Sequence, residues 1–122
     1  MARTTTPQEI QYWYILPAIR RAFSKEMARR KMKQKDIARH LGLTEAAVSQ
    51  YVSAKRGDLV LPKDIIKEIK KSVDNVEKSV KDRAAFREVQ RVSKQIMSTH
   101  AICTIHKRHD KTLPKDCDLC HS

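Results

Sequence analysis

Glycine is scarce in this chain: only Gly42 and Gly57 occur in 122 residues. With so few glycines and abundant Lys, Arg, Glu, Ala and Ile, the chain is expected to be nearly all-helical. There is no phosphate-binding loop, no paired carboxylates and no Ser/His/Asp set, so an enzyme is not expected. Aromatic residues make up 5% against 40% hydrophobic overall, which supports only a modest core. No stretch is apolar enough to span a bilayer and no signal peptide is visible, so the expected location is cytoplasmic, with no membrane partner. Cysteine is absent until Cys103, and all three cysteines fall in the last fifth. In a cytoplasm these would start as thiols or metal ligands, with a Cys117–Cys120 disulfide as a further possibility on oxidation.

Acidic residues are also few. Lys and Arg number 26 against 14 Asp and Glu, giving a net charge of +12, with a pI near 9.9. The excess is uneven. Residues 1–57 hold 12 Lys/Arg against 4 Asp/Glu, whereas residues 58–122 hold 14 against 10. A charge of this size implies a polyanionic partner, and its weight lies with the first half. The length allows one compact domain plus an appendage.

Residues 34–56, Gln34 to Arg56, are the most informative stretch. Ile37, Ala38 and Leu41 fall on one face of a first helix. Gly42 ends it, since positive φ carries no Cβ penalty at glycine. Thr44 is an N-cap residue and opens a second helix with Val48, Tyr51 and Val52 facing inward. Ala38 is small enough to let the two helices cross closely. The arrangement reads as a helix-turn-helix.

Gln34, Ile37-Ala38, Leu41-Gly42-Leu43-Thr44 and Val48-Ser49-Gln50-Tyr51 resemble the lambda-repressor-like, or Cro-like, helix-turn-helix family, and Lys55-Arg56-Gly57 resembles the basic end of its second helix. The resemblance covers about a fifth of the chain. It implies a partner, double-stranded DNA, with the second helix in the major groove. Carried over by position, the DNA-facing set is Gln34 on phosphate, Thr44 at the helix start, Glu45, Ala46, Ser49 and Gln50 toward bases, and Lys55 and Arg56 on the backbone. Gln50 can bond bidentately to adenine, Ser49 can pair with several base edges, and Ala46 can pack on a thymine methyl. Glu45 either accepts from cytosine N4 or complements the helix dipole.

Before this unit, Thr6-Pro7-Gln8-Glu9 is a helix start with the spacing of a capping box. The helix is expected to run to about Lys31, with Leu16, Ile19, Phe23 and Met27 as its apolar stripe and a kink or break at Pro17. Trp13 and Tyr14 form a second apolar patch, read as packing within the subunit or against another. Arg20, Arg21, Lys25, Arg29, Arg30, Lys31 and Lys33 lie on phosphate or form a solvated face. Beyond Gly57, Leu59-Val60-Leu61 ends at Pro62, which opens a helix from about Lys63. Ile66, Ile69, Val73, Val76 and Val80 form a short heptad-like seam. A last helix is expected near Asp82, as N-cap, with Ala85, Phe86, Val89, Val92 and Ile96 on its apolar side. The pair reads as a helical hairpin, and two-fold operators make a homodimer the default; a monomeric bundle is the alternative.

The remaining chemistry is at the end. Cys117-x-x-Cys120 has the spacing of a chelating knuckle, and Cys103 can add a third sulfur after a loop. Nearby Lys and Arg favour thiolates. His106 is a possible fourth ligand, with His109 and His121 as alternatives; His40 and His100 are not read as ligands. Three thiolates suit an iron–sulfur cluster, and a Cys3His set suits Zn2+. Through Tyr12-Trp13-Tyr14-Ile15-Leu16-Pro17-Ala18-Ile19-Arg20-Arg21 and Cys117-Asp118-Leu119-Cys120 the chain also resembles small archaeal regulators that join a Cro-like domain to a Cys-rich tail.

The resulting expectation is an all-α chain: a lambda-repressor-like DNA-binding domain over residues 1–61, a dimerisation hairpin over 62–99 and a metal- or cluster-binding tail over 100–122. Its expected role is a DNA-binding transcription regulator with an iron–sulfur site that senses redox or iron state. The alternatives are a structural zinc site or a protein-contact tail.

Overall fold

A computed structural model describes residues 6–53, 61–79 and 83–98. The first rod is built from α1 (Pro7–Ile10), a π-helical segment (Gln11–Ile15) and α2 (Leu16–Arg29), which follow one another without a break. Then come α3 (Gln34–Leu41), α4 (Glu45–Val52), α5 (Lys63–Lys78) and α6 (Ala84–Met97). Counting the first rod once, the described residues form five helices and no strand.

The rod starts as its residues dictate. Thr6 Oγ1 accepts from the Glu9 N–H at 3.2 Å, and Glu9 Oε1 accepts back from the Thr6 hydroxyl at 3.2 Å. Pro17 stands in the first turn of α2, and the helix continues through it. The irregularity lies one turn earlier, where the Leu16 N–H reaches the Gln11 carbonyl in the wider π register. A proline cannot donate to the carbonyl four residues back, and its ring crowds it; the widened turn relieves that crowding. The wider turn also puts Ile10 and Ile15, five apart, both at 0% exposure. Tyr12 and Trp13 then face outward, at 68% and 52% exposure, so the chain's own core does not enclose Trp13, for which the sequence left packing within the subunit or against another open. Tyr14 is half-buried against the core.

The rod ends at Arg29, two residues before the expected end. The Met32 N–H bonds to the Met27 carbonyl at 3.1 Å and the Lys31 N–H to the Ala28 carbonyl at 2.9 Å, with Lys31 at φ 68°. This pair of bonds is a Schellman closure, with a lysine where glycine is usual.

One apolar core joins all the helices. It takes Ile19, Phe23 and Met27 from α2, Ile37 and Leu41 from α3, Val48 from α4, Ile65, Ile69, Val73 and Val76 from α5, and Ala85, Val92 and Ile96 from α6. The seam on α5 is thus buried inside the chain at Ile69, Val73 and Val76, with Ile66 half-buried; Val80 lies outside the described residues. Polar groups stitch the edges of α5. Glu88 accepts from Ser72 Oγ at 3.0 Å, Asn75 Nδ2 at 3.1 Å and Arg91 Nε at 2.9 Å. On the other side Arg30 of α2 reaches the Lys70 carbonyl, Asp74 and Glu77. The helix α6 begins at Ala84 behind Arg83; Asp82, the expected cap, lies outside the described residues.

Candidate nucleic-acid interface

The two helices expected from residues 34–56 are α3 and α4. Gly42 stands between them at φ 65°, ψ 36°, the left-handed conformation that favours glycine. The Leu43 N–H returns to the Ala38 carbonyl at 2.9 Å and closes the end of α3. Thr44 is extended and caps α4, its hydroxyl accepting from the Ala47 N–H at 3.0 Å. Ile37, Ala38, Leu41, Val48 and Tyr51 are buried, so the inner faces of both helices go to the core.

What remains outside is the set singled out for contact. Gln34, Thr44, Glu45, Ala46 and Ser49 are exposed, and Gln50 is half-buried. Glu45, Ala46 and Ser49 share one helix face, since residues three and four apart are neighbours. That outer face carries small and polar groups, with one carboxylate at its start. Exposed cations also occur before and along α3: Lys31, Lys33, Lys35 and Arg39, the last 3.6 Å from Asp36. The first turn of α3 has Lys33 as its cap residue and no side-chain capping bond. Lys55 and Arg56 lie outside the described residues.

Two of the candidate phosphate cations are committed elsewhere. Arg29 and Arg30 both bind Glu26, at 2.6 and 3.1 Å, and Arg30 also ties α2 to α5 through Asp74 and Glu77. Glu26 is only 6% exposed. The Arg29 guanidinium beside it, helped by Arg30, holds its carboxyl below the ordinary range despite burial. The Glu26–Arg30 spacing of four was visible in the sequence as a helix pair, but the distant carboxylates on α5 were not.

Sequence reasoning placed Phe86 on the apolar side of the last helix. In the fold it is 45% exposed, and its ring lies over Gly42. It therefore braces the turn that leads into α4.

Cys103, Cys117, Cys120 and His106 all lie outside the described residues. Among the described residues no group of His, Cys, Asp and Glu is arranged to hold a metal ion, and no helix is long and apolar enough to cross a membrane. Comparison with protein families, curated proteins and solved structures finds no match to the chain.

Proposed function

We propose that this chain is a sequence-specific double-stranded DNA-binding regulator whose α3–α4 pair is a helix-turn-helix. The supporting observation is the division of α4. Its inner face is buried at Val48 and Tyr51, while Glu45, Ala46 and Ser49 are left exposed on the other. An exposed helix face of small and polar groups, with exposed Lys33, Lys35 and Arg39 on the preceding helix and its cap, fits a major groove between two rows of phosphates. The net charge of +12 supplies the non-specific attraction. The uncapped first turn of α3, at Gln34, presents N–H groups to a phosphate.

The regulator acts as a homodimer in this reading, because a single eight-residue helix spans one half-site and operators of this kind are two-fold. Its seam is not the buried face of α5. The three-cysteine tail is the effector site, holding an iron–sulfur cluster on Cys103, Cys117 and Cys120; zinc with His106 as fourth ligand is the alternative. Cysteine number and spacing support this half of the proposal.

The test is selection of bound duplexes from a random pool, followed by Ser49→Ala and Gln50→Ala. Each substitution is expected to reduce the preference for the selected duplex over mixed sequence by about 10-fold or more, as loss of one good base contact does, while non-specific binding persists. Equal weakening on every sequence would overturn the assignment of α4 to base contacts.

A further inference from the structure

The ring of Phe86 touches the α3–α4 turn, and it fixes which part of α6 lies beside the start of α4. An ideal Cβ on Gly42 would stand 2.5 Å from Phe86 Cζ and 2.8 Å from Cε1, so no other residue separates the two. Gly42 is two residues before Thr44, the cap of α4. The end of α6 at this turn is therefore its beginning, with Arg83 and Arg87 on either side of Phe86 in sequence.

These two arginines differ from Arg91 on α6 and from Arg29 and Arg30 at the end of α2. Arg91 is committed to Glu68 and Glu88, and Arg29 and Arg30 to carboxylates on α2 and α5. Arg83 and Arg87 are exposed, and neither forms an ion pair with a described residue. Ala85, Val92 and Ile96 point into the core, so Arg87 falls on the outer side of the helix, and Arg83, the left-handed residue just before it, is exposed at its start. Arg83 is the cap residue of α6 and Arg87 lies in its first turn, so both stand at the same end of the helix. Nothing in the 34–56 motif anticipates them.

We infer that Arg83 and Arg87 form a phosphate-contact patch that extends the DNA interface from the α3–α4 pair onto α6. The inference rests on the DNA-binding reading above. Two guanidinium groups next to the start of α4 bind the backbone flanking the groove that α4 enters. They add affinity and fix register, and they carry no base preference of their own.

The experiment measures the salt dependence of binding by the full chain to a mixed-sequence duplex and to a selected duplex. The variants are Arg83→Gln/Arg87→Gln, Arg83→Lys/Arg87→Lys, and a charge-matched control, Lys67→Gln/Lys94→Gln. Lys94 is exposed on the same helix but about 10 Å further from the turn, and Lys67 is exposed on α5. The expected result is a log–log slope shallower by about 0.9 for each arginine removed. Both duplexes should weaken by the same factor, the lysine double should keep the slope, and the control should change it less. All four proteins should melt alike, since these side chains are exposed. An unchanged slope in the Gln double, or an equal change in the control, overturns the patch while leaving α4 in place. A wild-type chain that binds neither duplex overturns the DNA reading and the patch together.

Discussion

The Phe86 ring occupies the space that a Cβ on Gly42 would enter, with Cζ 2.5 Å from that position. Gly42 is thus required twice, by its φ of 65° and by its neighbour. The two demands differ in weight. A ring that is 45% exposed can swing outward, whereas the left-handed backbone cannot be relieved without opening the turn. Gly42→Ala is expected to destabilise by about 2 kcal/mol, mostly from backbone strain. Phe86→Ala should cost about 1 kcal/mol, being only half-buried. The double variant should lose less than the two together, by roughly 0.5 to 1 kcal/mol, because the alanine methyl then meets no ring. Urea melts of the four proteins check this; strict additivity would place the ring elsewhere.

Glu26 makes acid stability predictable in sign. Its carboxyl is held below the ordinary value of 4.5, first by the hydrogen bond from Arg29 and then by Arg30. Glu88 behaves likewise: burial pushes its carboxyl up, but Arg91, Ser72 and Asn75 together bring it down. A group with a lowered folded pKa binds fewer protons when folded than when unfolded. Its contribution is complete above the unfolded value and fades as pH falls through the folded one. Stability is therefore expected to hold from neutrality to about pH 5 and to fall below the model-peptide carboxylate range. Glu26→Gln should flatten that fall. Arg30→Ala should cost about 2 kcal/mol at neutral pH by removing one of the two guanidinium groups on Glu26 and releasing α5 from α2. Melting temperature against pH reads both.

The helix ends give two changes of opposite sign. Thr44→Ala removes the hydroxyl that accepts from the Ala47 N–H at 3.0 Å, and is expected to cost about 1 kcal/mol. Lys31→Gly should stabilise by about 0.5 to 1 kcal/mol, since Lys31 sits at φ 68° in a closure built for glycine. Thermal melts of the single variants decide both. A Lys31→Gly protein that melts lower would mean that the aliphatic stem of the lysine contributes more by packing than its backbone loses.

Local chemistry was legible in the sequence. Thr6 with Glu9, Gly42, Thr44 and the stripe at Ile19, Phe23 and Met27 each act within one turn of helix, and each stands where its residue type requires. Contacts between distant segments were not legible. Nothing in the periodicity of Ile69, Val73 and Val76 says whether their partner is a second chain or α2 and α6 of the same chain, because any apolar face satisfies the same pattern. Whether Trp13 packs within the chain or against another was not legible for a related reason. Its direction depends on the π turn before Pro17, which shifts the helical phase by about one residue and carries no signature in composition. The exposed face of α4 could be listed residue by residue, yet the neighbouring Arg83 and Arg87 needed the Phe86–Gly42 contact to place them.

The cysteine tail and the helical body should separate experimentally. The described core is assembled from residues between Ile10 and Ile96, nearly all of them on the helices. Cys117→Ala is therefore expected to leave the main thermal transition in place. Its effect should fall on the bound centre instead. Protein purified without oxygen is expected to show broad visible absorption with iron and sulfide in stoichiometric amounts, and Cys117→Ala should lose all three signals. The same substitution should change affinity for a selected duplex more than for mixed sequence, as an effector acting on the relative placement of two α4 helices would. A colourless protein holding one zinc ion would reduce the tail to a structural clasp. DNA binding would then ignore oxygen and iron, and only the α3–α4 half of the proposal would stand.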